Sequence, residues 1–218
     1  MSPGTFQALF WLLSIFSAFI ALIIALIRIR HHKEQQWILV LLFASVFSSL
    51  INLVDTKNTF LIAGTFYRFA EFFILFNFYV KLTFFKTYSC KPVRLIFVNI
   101  FVVLLLVAIY HFNLTIIRPL NSLTFIFLSI GVYWQIIREL QTERIEQNPI
   151  FWINSAILFS FAGSFFLFLM RQYLIDNHYD EYPYIQSIIN IMGIVKNALI
   201  AYAFTLKSPR QYKLIHYE

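Results

Sequence analysis

Seven apolar stretches divide this chain, and each is long enough to cross a lipid bilayer. A spanning helix needs about 20 predominantly apolar residues, within a usual range of roughly 17–25. The stretches cover 5–27, 37–54, 60–85, 93–110, 120–137, 150–175 and 184–206. Inside hydrocarbon every backbone N–H and C=O must find a partner within the protein, so such runs fold as helices. The connections between them are short. The sequence therefore predicts an all-α membrane protein, a seven-transmembrane-helix bundle forming a single domain over residues 1–218.

Composition narrows the function classes. Of 218 residues, 60% are hydrophobic and 12% charged, where an average soluble domain carries roughly 25% charged. A soluble fold of this size could not cover that much apolar surface, which argues against a soluble enzyme or a nucleic-acid-binding domain. The 17 Lys and Arg against 10 Asp and Glu give a net charge of +7. In a membrane chain, basic excess marks cytoplasmic loops rather than an affinity for nucleic acid.

The basic residues also set the orientation. One side of the predicted bundle holds Arg28, Arg30, Lys33, Lys81, Lys86, Lys91, Arg94, Arg138, Arg144, Lys207, Arg210 and Lys213. The other side holds Lys57, Arg118 and Arg171. By the positive-inside rule, this bias puts the N-terminus outside and the C-terminus in the cytoplasm. The first apolar run lacks a basic region ahead of it and is too long for a signal peptide, so it reads as a retained signal-anchor helix. Pro3, Pro92, Pro119, Pro149 and Pro183 stand just ahead of predicted helices, where a missing N–H costs nothing. Pro209 follows the last helix. With no proline inside a span, the broken helices common in transporters are not expected. Cys90 is the only cysteine, so no intrachain disulfide can form.

Familiar catalytic signatures are missing: no phosphate-cradling Gly loop, HExxH or GxSxG occurs. The five histidines show no metal-ligand spacing on a helix. The outer run Asp176-Asn-His-Tyr-Asp-Glu181 reads as a solvated loop, with cation binding as the sharper alternative. Ala156, Ser160 and Ser164 form a small-residue ridge, with Gly163 beside it, that reads as helix packing. No metal and no resident cofactor are expected.

Three ionisable residues do need explaining: Arg68 and Glu71 in helix 3, and Lys196 in helix 7. A charge near the bilayer centre costs at least about 2.5–3.5 kcal/mol, so such residues turn inward and pair. At 1.5 Å per residue, Glu71 lies about 16 Å along helix 3 and Lys196 about 18 Å along helix 7. A Glu71–Lys196 contact is thus sterically open if the two helices share a cavity. Tyr67, Arg68 and Glu71 share a face with Gly64, while Gln186, Asn190 and Asn197 line a stripe joined at its edge by Gly193. Lys196 stands about 100° from Asn197, at the flank of that stripe. Helix 2 adds a polar face of Ser45, Ser48, Ser49, Asn52 and Asp55. Together these faces could line a polar cavity. The plainer alternative is structural: Arg68 and Glu71, three apart, can neutralise each other, and the asparagines can bond between helices.

Seven helices, an outer N-terminus, the run Tyr67-Arg-Phe-Ala-Glu71 and the helix-7 lysine resemble the microbial rhodopsins. That resemblance implies retinal on Lys196 as a Schiff base with Glu71 as counterion. The chain departs from the family where Met192 replaces an acidic residue one turn before the lysine, and where helix 6 lacks a tryptophan–proline pattern. The runs Asn148-Pro-Ile-Phe-Trp-Ile-Asn154 and Ile189-Asn-Ile-Met-Gly-Ile-Val-Lys-Asn197 look similar to helices 6 and 7 of small, uncharacterised seven-helix bacterial membrane proteins. That second resemblance implies a membrane sensor beside signalling proteins.

The function expected is a non-enzymatic receptor or sensor component of a bacterial inner membrane. Its site would take a small ligand or lipid among Tyr67, Arg68, Glu71, Asn190, Lys196 and Asn197. Its partners would be membrane lipid and a cytoplasmic or membrane protein, with self-association open. A small-solute or proton-coupled transporter or channel is the alternative, and a retinal protein the third.

Overall fold

The computed structural model describes residues 3–28, 36–54, 57–84, 114–139, 145–169, 173 and 182–206. They form six α-helices, and no strand occurs among them. These are α1 (Pro3–Arg28), α2 (Gln36–Val54), α3 (Lys57–Phe84), α4 (Leu114–Glu139), α5 (Pro149–Leu169) and α6 (Tyr182–Thr205), with a short 3-10 turn at Ile145–Gln147. Each matches a predicted span to within a few residues at most ends. The largest difference is α4, which starts six residues before 120; of the end of the predicted span 150–175, only Tyr173 is described beyond Leu169, and it is helical. The predicted span 93–110, Cys90 and the run 176–181 lie outside the described residues.

One prediction is corrected. Pro119 does not stand ahead of its helix but is the sixth residue of α4, inside it and buried. Its ring removes the N–H that would bond the Thr115 carbonyl. The lipid-facing apolar run does begin at Pro119, and for that reason the sequence pattern places the helix start there. The other described prolines sit where expected, Pro3 and Pro149 first and Pro183 second in their helices. At α5 the start is capped by a side chain. Asn148 Oδ1 accepts the Ile150 N–H at 2.9 Å, and Trp152 Nε1 donates to the Glu146 carbonyl at 2.8 Å.

The helices close into a ring in chain order. Each packs on the next, and α6 packs on α1. Side-chain register gives their directions. Phe6 meets Tyr184 and Ser17 meets Asn197, so α1 and α6 run parallel. Phe125 meets Phe161 and Tyr133 meets Phe151, so α4 and α5 are antiparallel. Gly163 lies against Met192 and Trp152 against Tyr202, so α5 and α6 are antiparallel. Phe72 meets Phe125 and Tyr79 meets Ser129, so α3 and α4 are parallel. Two residues separate α2 from α3, which forces them antiparallel. Hence α1, α3, α4 and α6 point one way, α2 and α5 the other. Phe84 and Leu114 therefore lie at opposite ends of the bundle.

The surface identifies the solvent. Phe16, Phe127, Trp134 and Phe166 are 63%, 65%, 73% and 69% exposed and face outward. Asn77, Ser122, Ser129, Asn154, Ser164, Ser187 and Asn197 are buried inside. Water would not tolerate so much large apolar surface, whereas lipid does. Four described helices, α1, α4, α5 and α6, are long and apolar enough to cross a membrane. The described residues are those of an all-helical membrane protein.

Small residues set the closest approaches. A Cβ on Gly193 of α6 would stand 3.1 Å from Ser14 Oγ of α1, and one on Gly163 of α5 would stand 2.8 Å from Met192 Sδ of α6. Ala156 and Ser164 of the predicted ridge are buried, and Ser164 Oγ donates to the Ser160 carbonyl at 2.7 Å.

Candidate functional site

Glu71 and Lys196 meet in the middle of this ring. Each is the fifteenth residue of its helix, α3 or α6, so in parallel helices they reach similar depth. Lys196 Nζ lies 3.4 Å from Glu71 Oε1. The helices that carry them sit across the ring from one another, with α1 and α2 on one arc and α4 and α5 on the other. The ion pair is thus a bridge over the interior rather than part of a seam between neighbours. Both side chains keep some exposure, 14% for Lys196 and 17% for Glu71.

Tyr67 completes the cluster. One turn before Glu71 on α3, its hydroxyl donates to the same Oε1 at 3.3 Å. Ser45 of α2 hydrogen-bonds the same phenol oxygen. Glu71 Oε1 therefore takes both contacts, and among the described residues Oε2 takes none. Arg68, three residues before Glu71, has a partner of its own, and the contact described at this carboxylate comes from Lys196. Of the two partners that spacing left open for Glu71, the geometry selects Lys196.

One residue of the stripe expected beside Lys196, Asn197, bonds to another helix. Asn197 is 4% exposed, and its Nδ2 donates to Ser17 Oγ of α1 at 2.9 Å. Ser17 Oγ in turn donates to the Ser14 carbonyl at 2.7 Å. Gly193 lies against Ser14 in the same seam. The edge of α6 that carries Gly193 and Asn197 therefore faces α1, which turns Lys196, about 100° away, toward the interior. Asn197 holds two helices together and does not line the cluster. Asn190 is half-buried and makes no bond to Glu71.

A second buried network was not singled out from the sequence. Tyr79 of α3, Ser129 of α4 and Asn154 of α5 are each fully buried. Tyr79 donates to Asn154 Oδ1 at 2.9 Å, and its oxygen lies 2.7 Å from Ser129 Oγ. Because the phenol has one hydrogen, Ser129 is the donor in the second bond. Asn154 Nδ2 donates to the Ser129 carbonyl at 2.9 Å. Phe125 packs against Tyr79, Phe72 and Phe161 above this network. A tyrosine and an asparagine deep in otherwise apolar spans are the sequence signal for it, since each needs a partner there.

The chain matches no family model, no curated protein and no solved structure.

Proposed function

We propose that the protein is a receptor or sensor component of a bacterial inner membrane that takes a small ligand or lipid at Glu71 and Lys196. The carrying observation is the Lys196–Glu71 contact across the ring interior, with both groups still partly exposed. Structural glue would sit within a seam between neighbouring helices, as Tyr79–Ser129–Asn154 and Asn197–Ser17 do. The bridge instead links two helices that the ring keeps apart. A ligand that loosens or tightens it shifts α3 against α6 and reaches the cytoplasmic ends, where a partner protein reads the shift. Tagged protein purified from native membranes is expected to bring a signalling partner with it. Absence of any such partner, together with solute flux in liposomes, would overturn the sensor reading.

Transport is the competing reading, and Pro119 is the observation that favours it. A proline inside α4 frees a backbone carbonyl, as in the interrupted helices of transporters. It lies near the end of the helix, however, well before the span's centre.

In this reading the bundle has seven crossings, with the N-terminus outside. The parallel direction of α3 and α4 supports a return crossing between Phe84 and Leu114, where the apolar run 93–110 lies. The excess of basic residues on one side supports the orientation. Cysteines introduced beside Lys57 or Asp176 are expected to react with an impermeant maleimide on intact cells, while Cys90 stays unlabelled. Labelling of Cys90 alone would invert the bundle.

Retinal on Lys196 ranks third. Met192 stands one turn before the lysine and packs against Gly163, where the rhodopsin resemblance calls for an acidic residue. Protein produced with added retinal is expected to remain colourless, and a visible band lost in Lys196→Ala would reverse this.

A further inference from the structure

We infer that the ligand at this site is uncharged overall and carries a hydrogen-bond donor and acceptor on one polar group, as an alcohol or a primary amide does. The inference rests on the ligand-site reading above and names its chemistry. Glu71 and Lys196 already balance each other at 3.4 Å. Arg68 is not without a partner. A carboxylate or ammonium entering this interior would leave one charge without a counterpart, and an unpaired charge away from water is the costly case.

What the pair leaves open is hydrogen bonding. Glu71 Oε2 accepts nothing from the described residues, because Tyr67 and Lys196 both address Oε1. Lys196 carries three N–H donors, and among the described residues its one bond goes to Glu71. Among the described residues an open acceptor and open donors therefore stand together on this ion pair. A hydroxyl can donate to Oε2 and accept from Nζ at once. A primary amide does the same with its NH2 and its carbonyl. Either completes both partners without separating them.

The test uses four probes of one chain length that differ only in the head: octanol, octanamide, octanoate and octylammonium. Each is titrated into the full-length protein in nanodiscs, and thermal unfolding is followed by tryptophan fluorescence. The same titrations are run on the double variant Glu71→Leu, Lys196→Met, which removes both polar ends together. Octanol and octanamide are expected to raise the melting temperature of the native chain at concentrations about tenfold lower than the charged probes need. That advantage should vanish in the double variant. A native-chain preference for octanoate or octylammonium, absent from the double variant, would overturn the uncharged class and leave the ligand site standing. Equal responses of the native chain and the double variant to all four heads would mean that water alone fills the site. That result would overturn the ligand-site reading and this inference with it.

Discussion

Glu71→Ala is expected to destabilise the protein by about 3–5 kcal/mol, the usual cost of removing one partner from a buried ion pair. The 17% exposure of Glu71 places the loss toward the lower end of that range. Alanine strips Lys196 of its counter-charge and Tyr67 of its acceptor in one step. Glu71→Gln should cost less, because an amide oxygen can still accept from both. Adding Lys196→Met to Glu71→Gln should recover part of that smaller loss, since no unpaired ammonium remains. Unfolding titrations in mixed micelles provide the numbers. Strictly additive losses would mean that Glu71 and Lys196 do not interact, because only groups in contact show coupling in such a cycle.

Much of this was legible in the sequence because the membrane simplifies folding. Helix positions follow from apolar length, and all six described helices fall on predicted spans. The meeting of Glu71 and Lys196 followed from depth: residues at equal height on inward-facing helices have few other partners. Three features were less legible, each for a physical reason. Pro119 reads as a helix start because Arg118 interrupts the apolar run just ahead of it, yet the backbone stays helical five residues further back, to Leu114. The role of Asn197 depends on which neighbour its helix face meets. Periodicity gives the face but not the neighbour, and the ring order assigns that face to α1. The Tyr79–Ser129–Asn154 network joins residues 50 and 75 positions apart in sequence. No local pattern links three single polar side chains on three helices until the register of those helices is known.

That network leads to the second large effect. Tyr79→Ala is expected to cost about 3–5 kcal/mol, as for other large aromatic truncations in a packed core. The side chain is fully buried and packs against Phe78 and Phe125, so its removal opens a cavity where α3, α4 and α5 meet. Tyr79→Phe isolates the hydroxyl and should cost far less. Hydrogen bonds between membrane helices average about 0.6 kcal/mol, with a maximum near 1.7. Ser129 can turn its freed hydroxyl to a carbonyl of its own helix, and Asn154 keeps its bond to the Ser129 carbonyl. Asn154→Leu should exceed Tyr79→Phe, because it removes both the acceptor of Tyr79 and the donor to Ser129. The two changes together should fall short of their sum, since both delete the Tyr79–Asn154 bond. Unfolding titrations of the three single variants and the Tyr79→Phe, Asn154→Leu pair decide the matter. If Tyr79→Phe cost as much as Tyr79→Ala, the junction would be held by its hydrogen bonds rather than by the packing of its rings.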